Sequence, residues 1–251
     1  MLRKLCFAFA IIITVATAAT AQQFVKDGLI SFWTFDDKTV SGNTIKDTVG
    51  KNDGTMMGNG KIGEGRIGEA LELDGSGSYV SIAKPVDVPK GNENYAIEVW
   101  FYANMMKVEG MIGWGAWGSS NQVNALRLGT DVNGFRHYWW GNDLDKATGD
   151  ISGAWHHAVA QYDGKTRSIW LDGEMINSDA PAGHNAQIAD VNIGVTNNRT
   201  EFWNGRLDEM RLYNRALTED EIQKNYKAES NVIMVKPAGK LEACWGMIKD
   251  I

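Results

Sequence analysis

Residues 97–102 read Ile-Glu-Val-Trp-Phe-Tyr and follow the two-residue period of a β-strand. The residues at 97, 99 and 101 would share one face of that strand, and those at 98, 100 and 102 the other. The same alternation occurs at Leu71 and Leu73 and again at Val80 and Ile82. Such patterns predict about eleven short strands, at 29–35, 71–74, 80–82, 97–102, 110–114, 124–129, 135–140, 155–162, 167–171, 191–195 and 207–213.

Turn-forming residues separate these segments. The chain has 28 glycines, and its five Asp-Gly and three Asn-Gly pairs supply the positive φ angles of tight hairpins. One segment is typical of a helix, because Thr218 and Glu221 form a capping box ahead of Ile222 and Tyr226. Many short strands followed by one late helix favour an all-β fold, an antiparallel two-sheet sandwich or jelly roll with one short C-terminal helix.

The N-terminus carries the features of a secretory signal peptide. Arg3 and Lys4 precede an apolar run at 5–15, and residues 19–21, Ala-Thr-Ala, form a small-x-small cleavage site. We therefore expect cleavage after Ala21 and an extracellular or periplasmic location. No other stretch approaches the length of about 18 apolar residues that a membrane span needs.

The charge and cysteine content restrict the partners and the means of stabilisation. Loss of residues 1–21 would leave 23 Lys and Arg against 31 Asp and Glu, a net charge of −8 instead of −6. This acidic balance argues against a nucleic-acid partner, which would require a basic surface. Cys6 would leave with the signal, so Cys244 would have no intrachain partner. A chain of about 230 residues buries enough surface to fold without disulfides.

Motifs for catalysis are weak in this sequence. Residues 63–68 match the Gly-x-Gly-x-x-Gly pattern of dinucleotide sites, but the segment that follows alternates like a strand where that motif requires a helix. A glycosidase needs two carboxylates that face one cleft, about 5 to 10 Å apart. Glu98 has no such partner on its strand, and Asp208 and Glu209 are adjacent and would diverge. The sequence therefore predicts a non-catalytic protein, and a glycan hydrolase or lyase that uses Glu98 or Asp143 is the less favoured alternative.

Tryptophans and polar side chains cluster in the middle of the chain, among glycines and asparagines that indicate loops. Aromatic faces stack on the C–H surfaces of sugars, while amide, carboxylate and guanidinium groups bind hydroxyls. On a strand, the residues at 137 and 139 would share one face and those at 136, 138 and 140 the other, so only half can line a groove. Each ring could equally belong to the core, and Trp33, Trp100 and Trp155 are expected to do so. The predicted glycan-binding residues are Trp114, Trp117, Arg127, His137, Trp139, Trp140, Asn142 and Asp143.

Several separated motifs also occur in a defined order. They are Trp33-x-Phe35-Asp36, the loop 47–55 that ends Asn52-Asp53-Gly54-Thr55, Gly68-x-Ala70-Leu71-x-Leu73-Asp74-Gly75, Trp155-His156-His157 with Tyr162-Asp163-Gly164, and Phe202-x-x-Gly205-x-Leu207-Asp208-Glu209-x-Arg211-x-Tyr213-Asn214-Arg215-Ala216-Leu217. Over roughly residues 27–226 this order resembles the laminin G-like, concanavalin A-like jelly-roll modules of secreted bacterial proteins. The resemblance implies two curved antiparallel sheets and a face that can hold glycans.

Many modules of this kind carry a calcium ion that ties the loop of the first strand to the last strand. The resemblance implies Asp36 and Asp208 as Ca²⁺ ligands, with Asn52 and Asp53 in the matching loop and Asp47 as a weaker candidate. Such carboxylates, with loop carbonyls and waters, suit the about 6–8 oxygen ligands of Ca²⁺. Alternatively, Asp36 and Asp208 could cap turns or pair with an arginine, and Asp47 could form an Asx turn.

These features predict a signal peptide at 1–21, a laminin G-like domain at 22–229, and a linker and tail at 230–251. The expected function is a secreted, calcium-stabilised carbohydrate-binding or adhesion module, whose partner is a glycan or glycoconjugate. The alternative is a protein-interaction or scaffold domain that binds an envelope or matrix protein through a sheet edge or through Trp245 in the tail. That tail could instead fold back on the sandwich.

Overall fold

The computed structural model describes residues 24–230. The predicted signal peptide, and the predicted tail beyond Ser230, lie outside the described residues. Within them, no helix has the length and apolar character that crossing a membrane would require.

The described part of the chain forms nineteen strands and one α-helix, with a short 3₁₀ helix at Asp37–Thr39. In chain order they are β1 (Leu29–Trp33), β2 (Val40–Ser41), β3 (Thr44–Ile45), β4 (Gly54–Met57), β5 (Lys61–Glu64), β6 (Glu69–Asp74), β7 (Tyr79–Ile82), β8 (Tyr95–Ala103), β9 (Glu109–Gly115), β10 (Val123–Gly129), β11 (Gly134–Tyr138), β12 (Leu144–Ala147), β13 (Trp155–Tyr162), β14 (Arg167–Leu171), β15 (Glu174–Asp179), β16 (Val191–Ile193), β17 (Val195–Thr196), β18 (Glu201–Phe202), β19 (Asn204–Tyr213) and α1 (Glu219–Tyr226).

Two large antiparallel sheets contain most of these strands. The eight-stranded sheet has the order β15-β14-β13-β8-β19-β6-β5, and β1 also pairs with β19. The nine-stranded sheet has the order β12-β11-β10-β9-β16-β7-β4-β3-β2, and β17 and β18 form a separate hairpin. The predicted all-β antiparallel sandwich with one short C-terminal helix is therefore confirmed.

The two sheets face each other across one apolar core. Alternation on β8 directs Ile97, Val99 and Phe101 into this core, as the sequence predicts, and none has exposed surface. Leu126 and Phe135 approach from the nine-stranded sheet, and the Phe101 and Phe135 rings meet edge to face at 5.6 Å. Burial of each such side chain contributes about 1.5–3 kcal/mol, so these inward faces supply most of the stability.

The eleven predicted strands are all present, whereas eight further strands were not predicted. The missed strands are β2, β3, β4, β5, β12, β15, β17 and β18. All are six residues or shorter, and several are rich in glycine or charge, as in Lys61–Glu64. Their pairing depends on neighbouring strands rather than on their own alternation. The segment 63–68 spans the end of β5 and a turn before β6, which is inconsistent with a dinucleotide site.

The helix α1 begins as predicted. The Thr218 side chain accepts a hydrogen bond from the Glu221 N–H, and the Glu221 side chain accepts one from the Thr218 N–H. Ile222 on the buried side of α1 contacts Val159 and Trp170, so the helix covers part of the outer face of the eight-stranded sheet.

A buried ion cluster lies between α1 and this sheet. Glu98 accepts hydrogen bonds from His157 Nε2 at 2.8 Å, from Arg211 Nη1 at 3.2 Å and from Asn225 Nδ2 at 2.7 Å. All four side chains are fully buried. Burial raises the pKa of Glu98, but Arg211 and His157 outweigh it and hold the pKa below its ordinary value. Glu98 thus fastens α1 to the sheet and is out of reach of a substrate.

The first described residues are fixed to the same helix. The Val25 N–H donates to Asn225 Oδ1 at 2.7 Å, and the Tyr213 hydroxyl donates to the Val25 carbonyl at 3.1 Å. Phe24 is buried against Phe32, with ring centroids 4.9 Å apart. The two ends of the described chain are therefore hydrogen-bonded to each other.

Candidate functional site

The eight predicted glycan-binding residues divide between the two faces of the nine-stranded sheet. Trp114, His137 and Trp139 face the core and have no exposed surface. Trp139 Nε1 donates to the Tyr95 hydroxyl at 2.8 Å, which lies 2.6 Å from His137 Nε2. Burial, with a contribution from the charge of Arg167, holds the pKa of His137 well below its usual value. These three side chains have no surface for a glycan, so the expectation that they line a groove does not fit their position.

The other aromatic side chains form a cluster on the outer face of the sheet. Tyr138 and Trp140 stack at 5.6 Å with 11° between their planes, and Trp117 meets them edge-on at 5.7 and 6.2 Å. Trp117 and Trp140 are only partly buried. The predicted alternation is therefore correct: positions 136, 138 and 140 face outward and positions 137 and 139 face inward.

Charged side chains surround the aromatic cluster. Arg127 makes a bidentate pair with Asp131 at 2.7 and 3.0 Å, and Arg136 makes one with Asp145 at 2.7 and 2.8 Å. Both guanidinium groups lie over the Tyr138 ring, at 5.2 and 5.5 Å. Burial and the charge of Glu201 raise the pKa of Tyr138 to about 12. The tyrosine is therefore a neutral hydrogen-bonding group at physiological pH.

The predicted Asn142 and Asp143 hold the loop that follows the cluster. Asp143 Oδ1 accepts the Trp139 N–H at 2.9 Å, and its other oxygen lies 3.7 Å from Arg136. Asn142 Nδ2 donates to Asn121 Oδ1 at 2.7 Å. These contacts position Trp139 and Trp140 on opposite faces.

Beside Trp117 lies an open cleft of about 420 Å³. Two of its lining side chains, Trp117 and Thr196, pack against Gly113 of β9. A Cβ at Gly113 would lie 3.0 Å from Trp117 Cζ2 and 3.1 Å from the Thr196 methyl group. The lining includes Trp117, Asp190, Asn192, Thr196, Asn198 and Arg199.

One wall of the cleft comes from the turn between β17 and β18. Asn197, Asn198 and Arg199 have φ angles of 48°, 54° and 66°, a run of left-handed conformation. Asparagine tolerates this region, and arginine rarely adopts it. Arg199 lies 3.7 Å from Asp190, and both side chains are about half exposed. These residues were not predicted from the sequence, in which the Asn-Asn-Arg run at 197–199 is the one local signal for them.

Asn192 supplies an unusual polar group in this cleft. Only 8% of the residue is exposed, and its Nδ2 donates to the Asp190 carbonyl at 3.3 Å. Its Oδ1 is buried and has no hydrogen-bond partner in the part of the chain that the structure describes. Buried polar atoms in proteins nearly always have a partner. Asn192 therefore contributes a nearly buried amide to the lining of the cleft, and its oxygen is satisfied by no residue within 24–230.

Among the five predicted calcium ligands, Asp36 and Asp208 converge on one loop. Asp208 Oδ2 accepts the N–H groups of Arg66 and Ile67 at 2.8 and 2.9 Å, and Asp36 Oδ1 accepts the Glu69 N–H at 3.2 Å. Both carboxylates are buried. Burial and the adjacent charge of Glu209 raise the pKa of Asp208 well above its ordinary value. Both side chains bring carboxylate oxygens, the ligand type that Ca²⁺ prefers, to the same loop.

The other three predicted ligands support a turn. Asp47 accepts the N–H groups of Phe32, Val49, Gly50 and Asn52, as the alternative of an Asx turn requires. The Asn52 side chain binds Ser31 and both backbone groups of Val86, and Asp53 pairs with Lys46 at 2.6 Å. Residues 24–230 hold no group of three His, Cys, Asp or Glu side chains arranged for a metal ion. A cation at Asp36 and Asp208 would need backbone or water oxygens as further ligands.

The comparison with protein families assigns the fold to a known class. The laminin G-like family Laminin_G_3, of the concanavalin A-like lectin/glucanase superfamily, matches residues 74–223. The chain belongs to this family, and the resemblance identified from the sequence motifs is confirmed. A search of curated proteins found no match to the chain.

Solved structures with the same fold include binding domains and enzymes. Domain 4 of AbnA, an extracellular GH43 arabinanase from Geobacillus stearothermophilus solved with arabinotriose, has a TM-score of 0.61 and 19% identity and covers 79% of this chain and 98% of its own. The binding domain of Paraclostridial mosquitocidal protein 1 has a TM-score of 0.62 and 17% identity, over 80% of this chain and 52% of its own. Trypanosoma rangeli sialidase, in complex with 2,3-difluorosialic acid, has a TM-score of 0.62 and 16% identity, over 83% of this chain and 36% of its own. At these identities the likeness shows the fold alone.

Proposed function

We propose that this protein is a secreted, non-catalytic carbohydrate-binding module whose glycan site is the cleft beside Trp117. The observation that carries the proposal is a partly exposed tryptophan, Trp117, in an open cleft whose other lining side chains are mostly polar. A sugar ring can bind both kinds of group, because its C–H face stacks on an indole and its hydroxyls form hydrogen bonds with polar side chains. Arg199 and Asp190 add one donor group and one acceptor group at the rim.

The relatives support this assignment at the level of ligand class. The AbnA domain, which this chain covers almost completely, was solved with arabinotriose, and the toxin relative is itself a binding domain. Both share the sandwich fold of the present chain. We therefore take arabinotriose as the first probe of the cleft.

Absence of catalysis is part of the proposal. Glu98 is fully buried under α1, where three hydrogen bonds occupy its carboxylate. Asp143 is bonded to the Trp139 N–H and lies beside Arg136. Arg136 also pairs with Asp131 and Asp145, so the carboxylates near Asp143 are held in ion pairs. The scaffold alternative, which uses a sheet edge or the tail beyond Ser230, stays a prediction.

Calcium at Asp36 and Asp208 completes the proposal. When bound, the ion would supply positive charge between the loop 65–69 and the bulge of β19 at Asp208. Asp36 and Asp208 would hold it, and their burial would keep water from competing. Its role would be to stabilise the fold, at a distance from the sugar-binding chemistry.

The test is binding of the mature protein to arabinotriose by isothermal titration and to an array of neutral and acidic glycans. We expect Trp117→Ala and Asn192→Ala each to weaken the binding of the best ligand by roughly tenfold or more, which corresponds to about 1.4 kcal/mol. Met175→Ala is the control, because this side chain is 55% exposed on β15 of the other sheet. Binding to no glycan would refute the function, and binding that is indifferent to both cleft variants would refute the site.

A further inference from the structure

The outer face of the eight-stranded sheet is only partly covered. The helix α1 and the turn after β5 cover one part, where Arg66 lies over the Trp100 ring at 4.6 Å. One cross-strand row beyond this cover carries partly or fully exposed side chains on five neighbouring strands. The register of the pairing gives the row as Trp155, Tyr102, Arg206, Glu72 and Lys61.

The aromatic half of this row is pre-organised. The Trp155 and Tyr102 rings meet edge to face at 5.9 Å, and the Arg206 guanidinium lies 4.5 Å from the Tyr102 ring centre. Arg206 Nη1 donates to the Glu64 carbonyl at 3.0 Å, which fixes its position. At about 4.8 Å between strands, the row extends for about 19 Å across the sheet.

The polar half of the row opens into a second cleft, of about 280 Å³. Lys61 and Glu72 belong to both the row and the cleft, and the further lining includes Asp74 and the three asparagines Asn59, Asn104 and Asn204. Asn104 Nδ2 donates to Asn204 Oδ1 at 3.0 Å, so two of the amides are already aligned. Below them, the buried Glu109 accepts the Asn204 N–H at 2.8 Å and holds that strand end in place.

We propose that this row and cleft form a second binding face for an uncharged oligosaccharide, so that the module binds two glycan chains at once. The charges within the patch balance, since Lys61 and Arg206 face Glu72 and Asp74, and a strongly charged polymer gains little there. Three amides beside two rings provide the donors, acceptors and apolar faces that a neutral sugar chain requires. This inference rests on the proposed function, because it assigns the same class of ligand to the opposite side of the sandwich.

Two faces give the module a property that a single cleft lacks. The cleft beside Trp117 lies on the outer face of the nine-stranded sheet, and the Trp155 row lies on the outer face of the eight-stranded sheet. Ligands on opposite outer faces cannot be one short oligosaccharide. On a polysaccharide, the protein would cross-link separate chains and gain avidity from the second contact.

The experiment is affinity gel electrophoresis of the mature protein in soluble arabinan, xylan, galactomannan, mixed-linkage β-glucan and polygalacturonate, with turbidity of the best polysaccharide as the readout of cross-linking. We expect Trp117→Ala and Trp155→Ala each to keep part of the retardation and to lose cross-linking, and the double variant to lose both. Asn104→Ala should behave like Trp155→Ala, and Met175→Ala like the unchanged protein. Thermal unfolding of each variant checks that it is folded.

Four other outcomes would each contradict a specific part of the proposals. Loss of all retardation in Trp117→Ala alone overturns the second face and leaves the proposed function in place. Loss of all retardation in Trp155→Ala alone supports the second face and contradicts glycan binding at the cleft beside Trp117. Retardation by polygalacturonate only overturns the neutral ligand. Retardation by none of the five overturns the second face, while the glycan array decides the proposed function.

Discussion

Trp139 and Trp140 are adjacent in the chain and lie on opposite sides of one sheet. Trp139 stacks on His184 at 3.7 Å, lies under Arg167 at 4.2 Å and has no exposed surface. Trp140 stacks on Tyr138 at the outer face and stays partly exposed. The contrast teaches that residue type alone does not indicate a binding role. The position of a ring in the two-residue period decides whether it stabilises the fold or is available to a ligand.

The stability of the two tryptophan variants is the strongest test of this contrast. Trp139→Ala should lower the free energy of unfolding by about 3–5 kcal/mol, since it leaves a cavity in the core and removes the donor to Tyr95. Trp140→Ala should cost about 1 kcal/mol or less. Urea denaturation followed by circular dichroism measures both values. Equal losses for the two variants would mean that the inward and outward assignment of residues 139 and 140 is incorrect.

The buried carboxylates of Asp208, a proposed calcium ligand, and of Asp47, a turn residue, allow the same kind of comparison. Ca²⁺ at about 100 times its dissociation constant should raise the free energy of unfolding by about 2.7 kcal/mol. Asp208→Asn should abolish most of this gain. Asp47→Asn should lower the stability without calcium, because it disrupts the amide contacts of its turn, and keep the gain. Thermal unfolding with calcium and with chelator distinguishes the two variants. A full calcium response in Asp208→Asn would show that Asp208 does not bind the ion.

The buried Glu109 should make stability depend on pH, whereas an exposed carboxylate should not. Burial raises the pKa of Glu109 to about 8. Its contribution to stability is therefore fully present below the unfolded pKa, near 4.3, and is lost as the pH rises through about 8. Glu109→Gln should be more stable than the unchanged protein by roughly 2 kcal/mol at pH 8.5, and the difference should vanish near pH 4. The exposed Asp145→Asn is the control, and a pH-independent difference for Glu109→Gln would contradict the assignment.

His184, which stacks on Trp139, should change the pH dependence of stability less than Glu109 does and in the opposite direction. Burial lowers its pKa to about 4. Stability should therefore fall as the pH drops from about 6.5 towards 4, because the unfolded chain takes up the proton first. His184→Phe keeps a ring on Trp139 and should reduce this acid-side loss by roughly 1 kcal/mol. Melting temperatures between pH 4 and 7 measure it, and parallel profiles for the two proteins would show that His184 does not contribute.

Long alternating segments made most of the fold predictable. β8 and β13 pair along their whole length, and their period is visible in sequence. β17 and β18 have two residues each and pair only with each other, so they are too short to show an alternating pattern. This hairpin supplies a wall of the cleft, which explains why Trp117 was predicted as a site residue and Arg199 was not.

The same limit applies to the second face and to the carboxylates. Trp155 was expected to pack, because its strand is apolar, but the pairing register places it beside Tyr102 and Arg206. Registers between distant strands cannot be derived from one sequence. Asp36 and Asp208 were brought together by the resemblance, and the structure adds the loop 65–69 that both of them bind.

The contact between Val25 and Asn225 has a mechanical consequence. The chain enters and leaves the described fold at neighbouring points, so a pulling force applied to its two ends would first load this hydrogen bond and the seat of α1. Such a geometry separates contacts one after another, at low force. Under such a force α1 would detach first, while the two sheets and the cleft stay folded.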